Sequence, residues 1–370
     1  MLLADLFRTP GSAISPRRKT GWIGIDIGTA AIKIAQLQQS GAKRRLVRSV
    51  VIRADEQRPF DLAAFESGFV GTEIKRALQV HGGFHGQSAA CVVSMAHCQL
   101  RTLVSAKGTE DEQRELISLE IENDPHSMAQ PMEFEFWDAS SGMRSEVRGM
   151  TQVHVVSMPQ MFSDSVAHNL LRARLQCEVL DAVPFAAVRA AEMIPVISGV
   201  ALGNKAYAIL DWGHSVATLM VVYNSQPFMT RTLKHCGLHR IMQAVRQRLK
   251  LSGAEAEALL TTYGVTARTN PGRSTSELQS LITELSAQVV QELMEEIRET
   301  LSFLKLQFAQ QIPEHFCLLG GGAAIRNIAT LVQQETRMPT HVWNLAGSTT
   351  EQISPVLATA AALSSLAWEL

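Results

Sequence analysis

Gly24-Ile25-Asp26-Ile27-Gly28-Thr29-Ala30-Ala31-Ile32-Lys33-Ile34 decides how the chain is read. The run Gly21 to Ile27 is rich in Ile and Trp, with one Asp among apolar neighbours. Ala31 to Leu37 alternates apolar and polar residues, the period of a half-buried strand. The stretch is therefore strand, tight turn, strand. A turn at Gly28-Thr29 presents backbone N–H groups and a hydroxyl to a small anion. Like charges keep Asp26 off a phosphate, but it can take a hydrated Mg²⁺ beside one. The competing interpretation is an ordinary hairpin with one buried, capped Asp.

The remainder bounds the possibilities. A chain of 370 residues is long enough for two domains. Its 46% hydrophobic and 19% charged residues are typical of a globular protein. A net charge of −1 argues against nucleic acid as a partner. Five scattered cysteines form no C-x-x-C pair, so neither a disulfide framework nor a zinc knuckle is expected. No apolar run is long enough to span a bilayer. The first 20 residues read as a flexible tail. Its apolar patch precedes Arg17-Arg18-Lys19, the reverse of a signal peptide, and a contact with anionic lipid or a partner is the minor interpretation.

In chain order, Arg44 to Ala54 is a third strand, and Asp61 to Gln79 one helix. His81 and His85 lie in a loop without other metal-ligating residues. Residues 87–157 read as a compact inserted β-helix-β-β unit. Its acidic helix starts at a Thr109/Glu112 capping box, with Leu116, Leu119 and Ile121 expected inward, and 140–146 is expected as a hairpin turn. Helices follow at Phe162 to Gln176 and Asp181 to Met193.

A second domain is expected from Lys205. Tyr207 to Leu210 is a strand running into Asp211-Trp212-Gly213-His214-Ser215, and two more strands follow. This repeats the opening order of strand, Asp-x-Gly turn with hydroxyl, strand, strand. Two such hairpins, each starting a domain, suggest halves that grip one polyphosphate from both sides. Residues 266–273 read as a polar loop, and Ser274 with Glu277 as the capping box of a long helix over 276–310. Strand 315–319 then runs into Gly320-Gly321-Gly322 and a helix, a backbone-lined site for an anion or nucleotide. It lacks both the G-x-G-x-x-G spacing and the Gly-Lys-Ser/Thr of a P-loop.

These three glycine turns, in this order, resemble the actin, Hsp70 and sugar-kinase superfamily. The resemblance is closer to its PilM branch of type IV pilus assembly proteins. It rests on GWIGIDIGTAAIKIAQL (21–37), LRTLVSAKGTEDEQRELISLEIENDPHSMAQPMEFEFWDA (100–139), VHVVSMPQMFSDSVAHNLLRARLQCEVLDAVPFAAVRAAE (153–192), AILDWGHSVATLMVV (208–222) and LLGGGAAIRNIATLVQQETRMPTHVW (318–343). The resemblance implies an α/β, actin-like (ribonuclease H-like) two-domain ATPase fold with an inserted small α+β subdomain of SHS2 type. Domain I would comprise 21–86 and 158–204, the insert 87–157, and domain II 205–370. It implies ATP with Mg²⁺ between the domains. Asp26, Gly28, Thr29 and Lys33 would line the first phosphate loop. Asp211, Gly213, His214 and Ser215 would line the second, and Gly320, Gly321, Gly322 and Arg326 would sit at the adenosine. Asp26 and Asp211 would hold Mg²⁺ through water.

The implied function is a scaffold under the inner membrane, in a homo-oligomer or ring. It would be cytoplasmic and peripheral to the membrane through its partners. It would bind the cytoplasmic N-terminal peptide of a PilN-like single-span protein and couple to the assembly ATPases. Departures bear on activity. Val183 stands before Pro184 where hydrolytic relatives carry a water-placing Glu, so hydrolysis is expected to be slow or absent. Ala256-Glu257-Ala258-Leu259 ends in Leu260 rather than Lys, which weakens a ribose contact, and Ala30 and Ala31 replace hydroxyls. A small-molecule kinase of the superfamily would need a general base that the insert does not offer. An FtsA-like cell-division protein would end in an amphipathic membrane helix, unlike the Ala-rich 355–368, and a GspL-like secretion protein would carry a transmembrane helix.

Overall fold

Two sheets of matching topology face each other, and a third small sheet hangs from the first. The computed structural model describes residues 19–41, 43–55, 58–124, 130–139, 149–194, 205–266, 276–308, 311–345 and 353–369. The expected turn at 140–146, residues 267–273 of the polar loop, and residues 1–18 of the tail lie outside these.

The first half begins with β1 (Lys19–Thr20), β2 (Ile23–Ile27), β3 (Ala31–Ser40) and β4 (Lys43–Arg53), followed by α1 (Leu62–Glu66), α2 (Phe69–His81) and β5 (Ser88–Val93). After the small unit of β6 (Gln99–Ala106), α3 (Glu110–Glu122), β7 (Met132–Asp138) and β8 (Met150–Pro159), it resumes with α4 (Gln160–Arg172), β9 (Gln176–Asp181) and α5 (Val183–Glu192). The second half holds β10 (Tyr207–Trp212), β11 (Ala217–Tyr223), β12 (Gln226–Leu233), α6 (Leu238–Leu249), α7 (Gly253–Thr262) and α8 (Glu277–Gln307). It ends with β13 (Phe316–Leu319), α9 (Gly320–Ala323), α10 (Ile328–Thr336), β14 (Thr340–Val342) and α11 (Ala358–Ser365).

In each half, three antiparallel strands form a meander, and the first of them also pairs in parallel with a later strand. In the first half, β2 pairs with β3 and β3 with β4, while β5 and β9 add in parallel. In the second, β10, β11 and β12 form the meander, and β13 and β14 add in parallel beside β10. Continuous apolar runs suit parallel strands covered on both faces, and Ile23, Ile25, Ile27, Ala208, Ile209 and Leu210 are all buried.

Several expectations are corrected. Lys19–Thr20 is strand, not tail: it pairs with Gln38 and Gln39 of β3. The helix expected over 61–79 breaks into α1 and α2 at Gly68, whose φ of 72° is left-handed. The insert does not start at 87, because β5 sits inside the first sheet between β2 and β9; the separate sheet, ordered β6-β8-β7, starts at Gln99. On α3 the capping box is present, but Ile117 and Ile121 face the strands, and Leu116 and Leu119 are 44% and 49% exposed. Only Ile117 and Ile121 fall on the arc that meets Val153 and Val155. Ser276 caps α8, accepting from the Gln279 N–H at 3.2 Å, and the expected cap Ser274 lies outside the described residues.

The last correction concerns residues 358–369, expected in the second domain. Helix α11 is buried throughout and packs on the first sheet and on α5. Its small side chains let the backbones close in. A Cβ on Gly24 would come within 1.9 Å of the Ala360 carbonyl oxygen. Ser364 Oγ donates to the Trp22 carbonyl at 2.6 Å and accepts from the Leu37 N–H at 2.9 Å. It thereby links Leu37 of β3 to the break between β1 and β2, satisfying groups that a buried strand end would otherwise orphan.

Candidate functional site: two Asp-x-Gly turns in contact

The site forms where the ends of β2 and β10 face each other. Asp26 sits one residue before the end of β2 and pairs in register with Lys33. Asp211 occupies the same position in β10, paired with Thr218. The repeat read from the sequence is thus a repeat of register as well as of residue type.

The first turn is closed by the Gly28 N–H donating to the Ala31 carbonyl at 3.0 Å. Lys33 Nζ lies 3.2 Å from Asp26 Oδ2, and both side chains are largely buried. The same ammonium stands over Gly28, where a Cβ would meet it at 2.8 Å. The second turn is held by Trp212, whose Nε1 donates to the Cys236 carbonyl at 2.7 Å, and by the Leu238 N–H donating to the Gly213 carbonyl at 3.1 Å. The two turns touch: Thr29 Oγ1 and Ser215 Oγ are 2.5 Å apart.

The glycine triplet packs against the second turn. Gly320 has φ of 79°, and a Cβ there would stand 2.6 Å from Asp211 Oδ1. A Cβ on Gly322 would enter the Trp212 ring at 2.2 Å, whereas one on Gly321 would meet only Leu238 Cδ2, at 3.2 Å. Internal packing therefore requires Gly320 and Gly322, and Gly321 alone leaves backbone accessible for close approach.

Burial, followed by the charge of Asp26, pushes the Asp211 carboxyl up to about 6, against the pull of Lys33. A buried carboxylate beside the charge of Asp26 suits a hydrated divalent cation, which would relieve the repulsion. Among the described residues no group of three or more His, Cys, Asp or Glu could hold a metal, so the ion's other ligands would be water or phosphate oxygens. His214 is pushed down to about 4 by burial, then by His239 and Lys33, so its ring is neutral at pH 7. Its carbonyl accepts from the His239 N–H at 2.9 Å and from His239 Nδ1 at 3.0 Å. Arg326 is exposed, and its guanidinium donates to the Thr262 carbonyl at the end of α7 at 2.8 Å. It braces α7 against the segment after α9.

The structure therefore brings together Asp26, Gly28, Thr29, Lys33, Asp211, Ser215 and Gly320. Gly213 and His214 belong to the second turn, whereas Arg326 is engaged at the end of α7. One pair was not anticipated from the sequence. Arg53, at the end of β4, reaches Glu257 of α7 in a two-pronged ion pair at 2.8 and 2.7 Å. It crosses between the halves beside the first turn, since the Ala54 N–H donates to the Ala30 carbonyl. No local pattern signals a partner so distant in the chain.

Val183 is buried at the start of α5, as an apolar residue there should be. Asp181 nearby is no substitute base, because Arg189 pairs with it at 2.8 Å and the Ala182 N–H donates to it. The small sheet is tied to the second half: Trp137 Nε1 donates to the Pro227 carbonyl and His154 Nε2 to that of Phe228, both at 2.7 Å.

The family model described as "Type IV pilus assembly protein PilM" matches residues 24–355. The chain is similar to the solved "PilM-PilN type IV pilus biogenesis complex", with a TM-score of 0.73 and 22% identity, covering 93% of this chain and 97% of that one. It is also similar to the ethanolamine utilization protein EutJ from Carboxydothermus hydrogenoformans, with a TM-score of 0.50 and 14% identity, covering 95% and 91%. The fold is actin-like. No helix among the described residues is long and apolar enough to cross a membrane.

Proposed function

The chain belongs to the PilM family of type IV pilus assembly proteins, and from that premise we propose that it is an ATP-binding scaffold of the pilus assembly platform. The contact between Thr29 and Ser215, which joins two turns of the same register, carries the nucleotide assignment. Gly28, Thr29 and Lys33 on one side and Gly213 and Ser215 on the other would hold the terminal phosphates. Asp26 and Asp211 would hold Mg²⁺ through water, and the open backbone at Gly321 would lie toward the adenosine. For phosphates to enter, the two hydroxyls must part.

The scaffold would bind the N-terminal cytoplasmic peptide of a PilN-like membrane protein, in keeping with the similarity to a PilM-PilN complex. That contact would hold it at the inner membrane, where it would couple to the assembly ATPases, as a homo-oligomer or ring. The apolar Val183 and the engaged Asp181 support slow or absent hydrolysis. Titration calorimetry tests the proposal: ATP-Mg²⁺ first, then a PilN-like N-terminal peptide. Binding of both, with ATP binding lost in Asp26→Ala, is the expected result. Absence of nucleotide binding sinks the ATP assignment. Failure of every PilN-like peptide sinks the partner.

A further inference from the structure

We propose that the tip of the β3–β4 hairpin, with β1 beside it, is a contact surface for an anionic phospholipid bilayer. Charge and strand register define this surface, which is independent of any nucleotide or peptide partner. From Lys19 to Arg53 the sequence holds one acidic residue, Asp26, and that lies at the far end of the hairpin, paired with Lys33.

The register gathers the cations at the other end. Lys19 pairs with Gln39 and Gln39 with Arg44, so Lys19 and Arg44 share one cross-strand row. Lys43 and Arg45 flank that row on the opposite face, opposite Ser40 and Gln38. A bulge between Gln36 and Leu37 then places Arg48 on the face of Arg45, although three positions separate them. Without the bulge, Arg48 would turn to the other side.

No carboxylate among the described residues neutralises these five cations. Arg45 bonds the Gln38 amide oxygen, Arg48 the His81 carbonyl, and Arg44 lies over the Trp368 ring. Glu369, which follows Trp368, is held by Arg189.

The shape selects the partner. Lys19 and Arg44 stand two strand spacings apart, roughly 10 Å, with β3 between them. An acidic peptide added at the edge of β4 would lie beside Arg44 but could not reach Lys19 across β3. A hairpin end with cations on both faces suits a plane of headgroups, which meets both at once. Attraction of this kind is weak per residue, additive and screened by salt.

Vesicle co-sedimentation tests this with the full chain alone, without peptide or nucleotide. Vesicles of phosphatidylcholine are compared with equal parts phosphatidylcholine and phosphatidylglycerol. The chain is expected to sediment with the anionic vesicles only, and to be released by about 0.5 M salt. K19Q/K43Q/R45Q, which spares the Arg48 and Arg44 contacts, should lower the partition by at least roughly tenfold. Its melting curve verifies folding, and R76Q, at a cation already paired with Glu73, should bind as the parent does. Equal binding to neutral vesicles, no binding to anionic ones at low salt, or parental binding by the triple variant overturns the proposal. Tighter binding to polyglutamate than to anionic vesicles also overturns it, and reassigns the tip to an acidic polypeptide.

Discussion

Thr29 and Ser215 touch through their hydroxyl oxygens, so the contact between the two Asp-x-Gly turns is made by one residue from each half. Each hydroxyl is positioned by a turn whose Asp lies in the same register, and neither half alone completes the pair. Thr29→Ala and Ser215→Ala should each weaken ATP binding by about 1 kcal/mol, roughly fivefold in Kd. The double variant should lose less than the sum, because the two hydroxyls act on the same ligand. Calorimetry on the four proteins measures this, and full additivity would show that the hydroxyls do not act together.

Asp211 gives the site a pH dependence. Its carboxyl titrates at about 6 when folded and near 3.8 when unfolded, so the folded state holds the proton more tightly. Stability from this group is greatest below about 3.8 and declines as pH rises to 6. Asp211→Asn should therefore raise stability at pH 7.5 by on the order of 1 kcal/mol without ligand. Mg²⁺ requires the ionised form, so its affinity should fall as pH drops below about 6 in the parent. Urea titrations and Mg²⁺-dependent nucleotide binding across pH follow the two effects. A stability gain independent of pH would point to some other cause.

The Arg53–Glu257 pair is half exposed, and its worth is accordingly small despite good geometry. Arg53→Ala or Glu257→Ala should cost under about 1 kcal/mol in global stability, and less in high salt. Because the pair spans the halves, the larger effect is expected on nucleotide association and release rates, which stopped-flow fluorescence would report. Unchanged rates in both variants would remove it as a gate.

Gly24→Ala should be far more costly than a typical surface change. The added methyl would collide with the Ala360 carbonyl, which is backbone and cannot rotate away. A loss of about 1–3 kcal/mol and a Tm lower by several degrees are expected. Thermal denaturation tests it, and a parental Tm would contradict the close packing of α11 on β2.

Hydrolysis is the last test. With Val183 in place of an acid and Asp181 bound to Arg189, turnover should stay below about one per minute. Phosphate release faster than this, and lost in Asp26→Ala, would show a catalytic group elsewhere.

Local chemistry made the two turns legible. Asp26 to Thr29 and Asp211 to Ser215 each carry their whole signal within a few residues, and both strands flanking each turn alternate or run apolar. Long-range choices were not legible. Helix α11 is Ala-rich all round, so its pattern says that it is buried but not which sheet buries it. The informative residues lay at the other end of the chain, in Gly21 and Gly24, whose missing side chains make room for it. On α3, Leu116, Ile117, Leu119 and Ile121 cover too wide an arc for periodicity to choose the inner face. Arg53 and Glu257 had no sequence relation at all. Strand β5 reads alike whether it joins the insert or the main sheet, and only its pairing with β2 decides.

Trp137 and His154 donate to main-chain carbonyls of β12, not to side chains. Their grip therefore depends on where β12 runs and hardly at all on which residues it carries. The insert belongs by chain to the first half, yet it holds the second. If the halves separate to admit a ligand, this sheet must either ride along with β12 or let go of two hydrogen bonds at once. Separation of the two turns would therefore reach the small sheet either as movement with β12 or as loss of these two bonds.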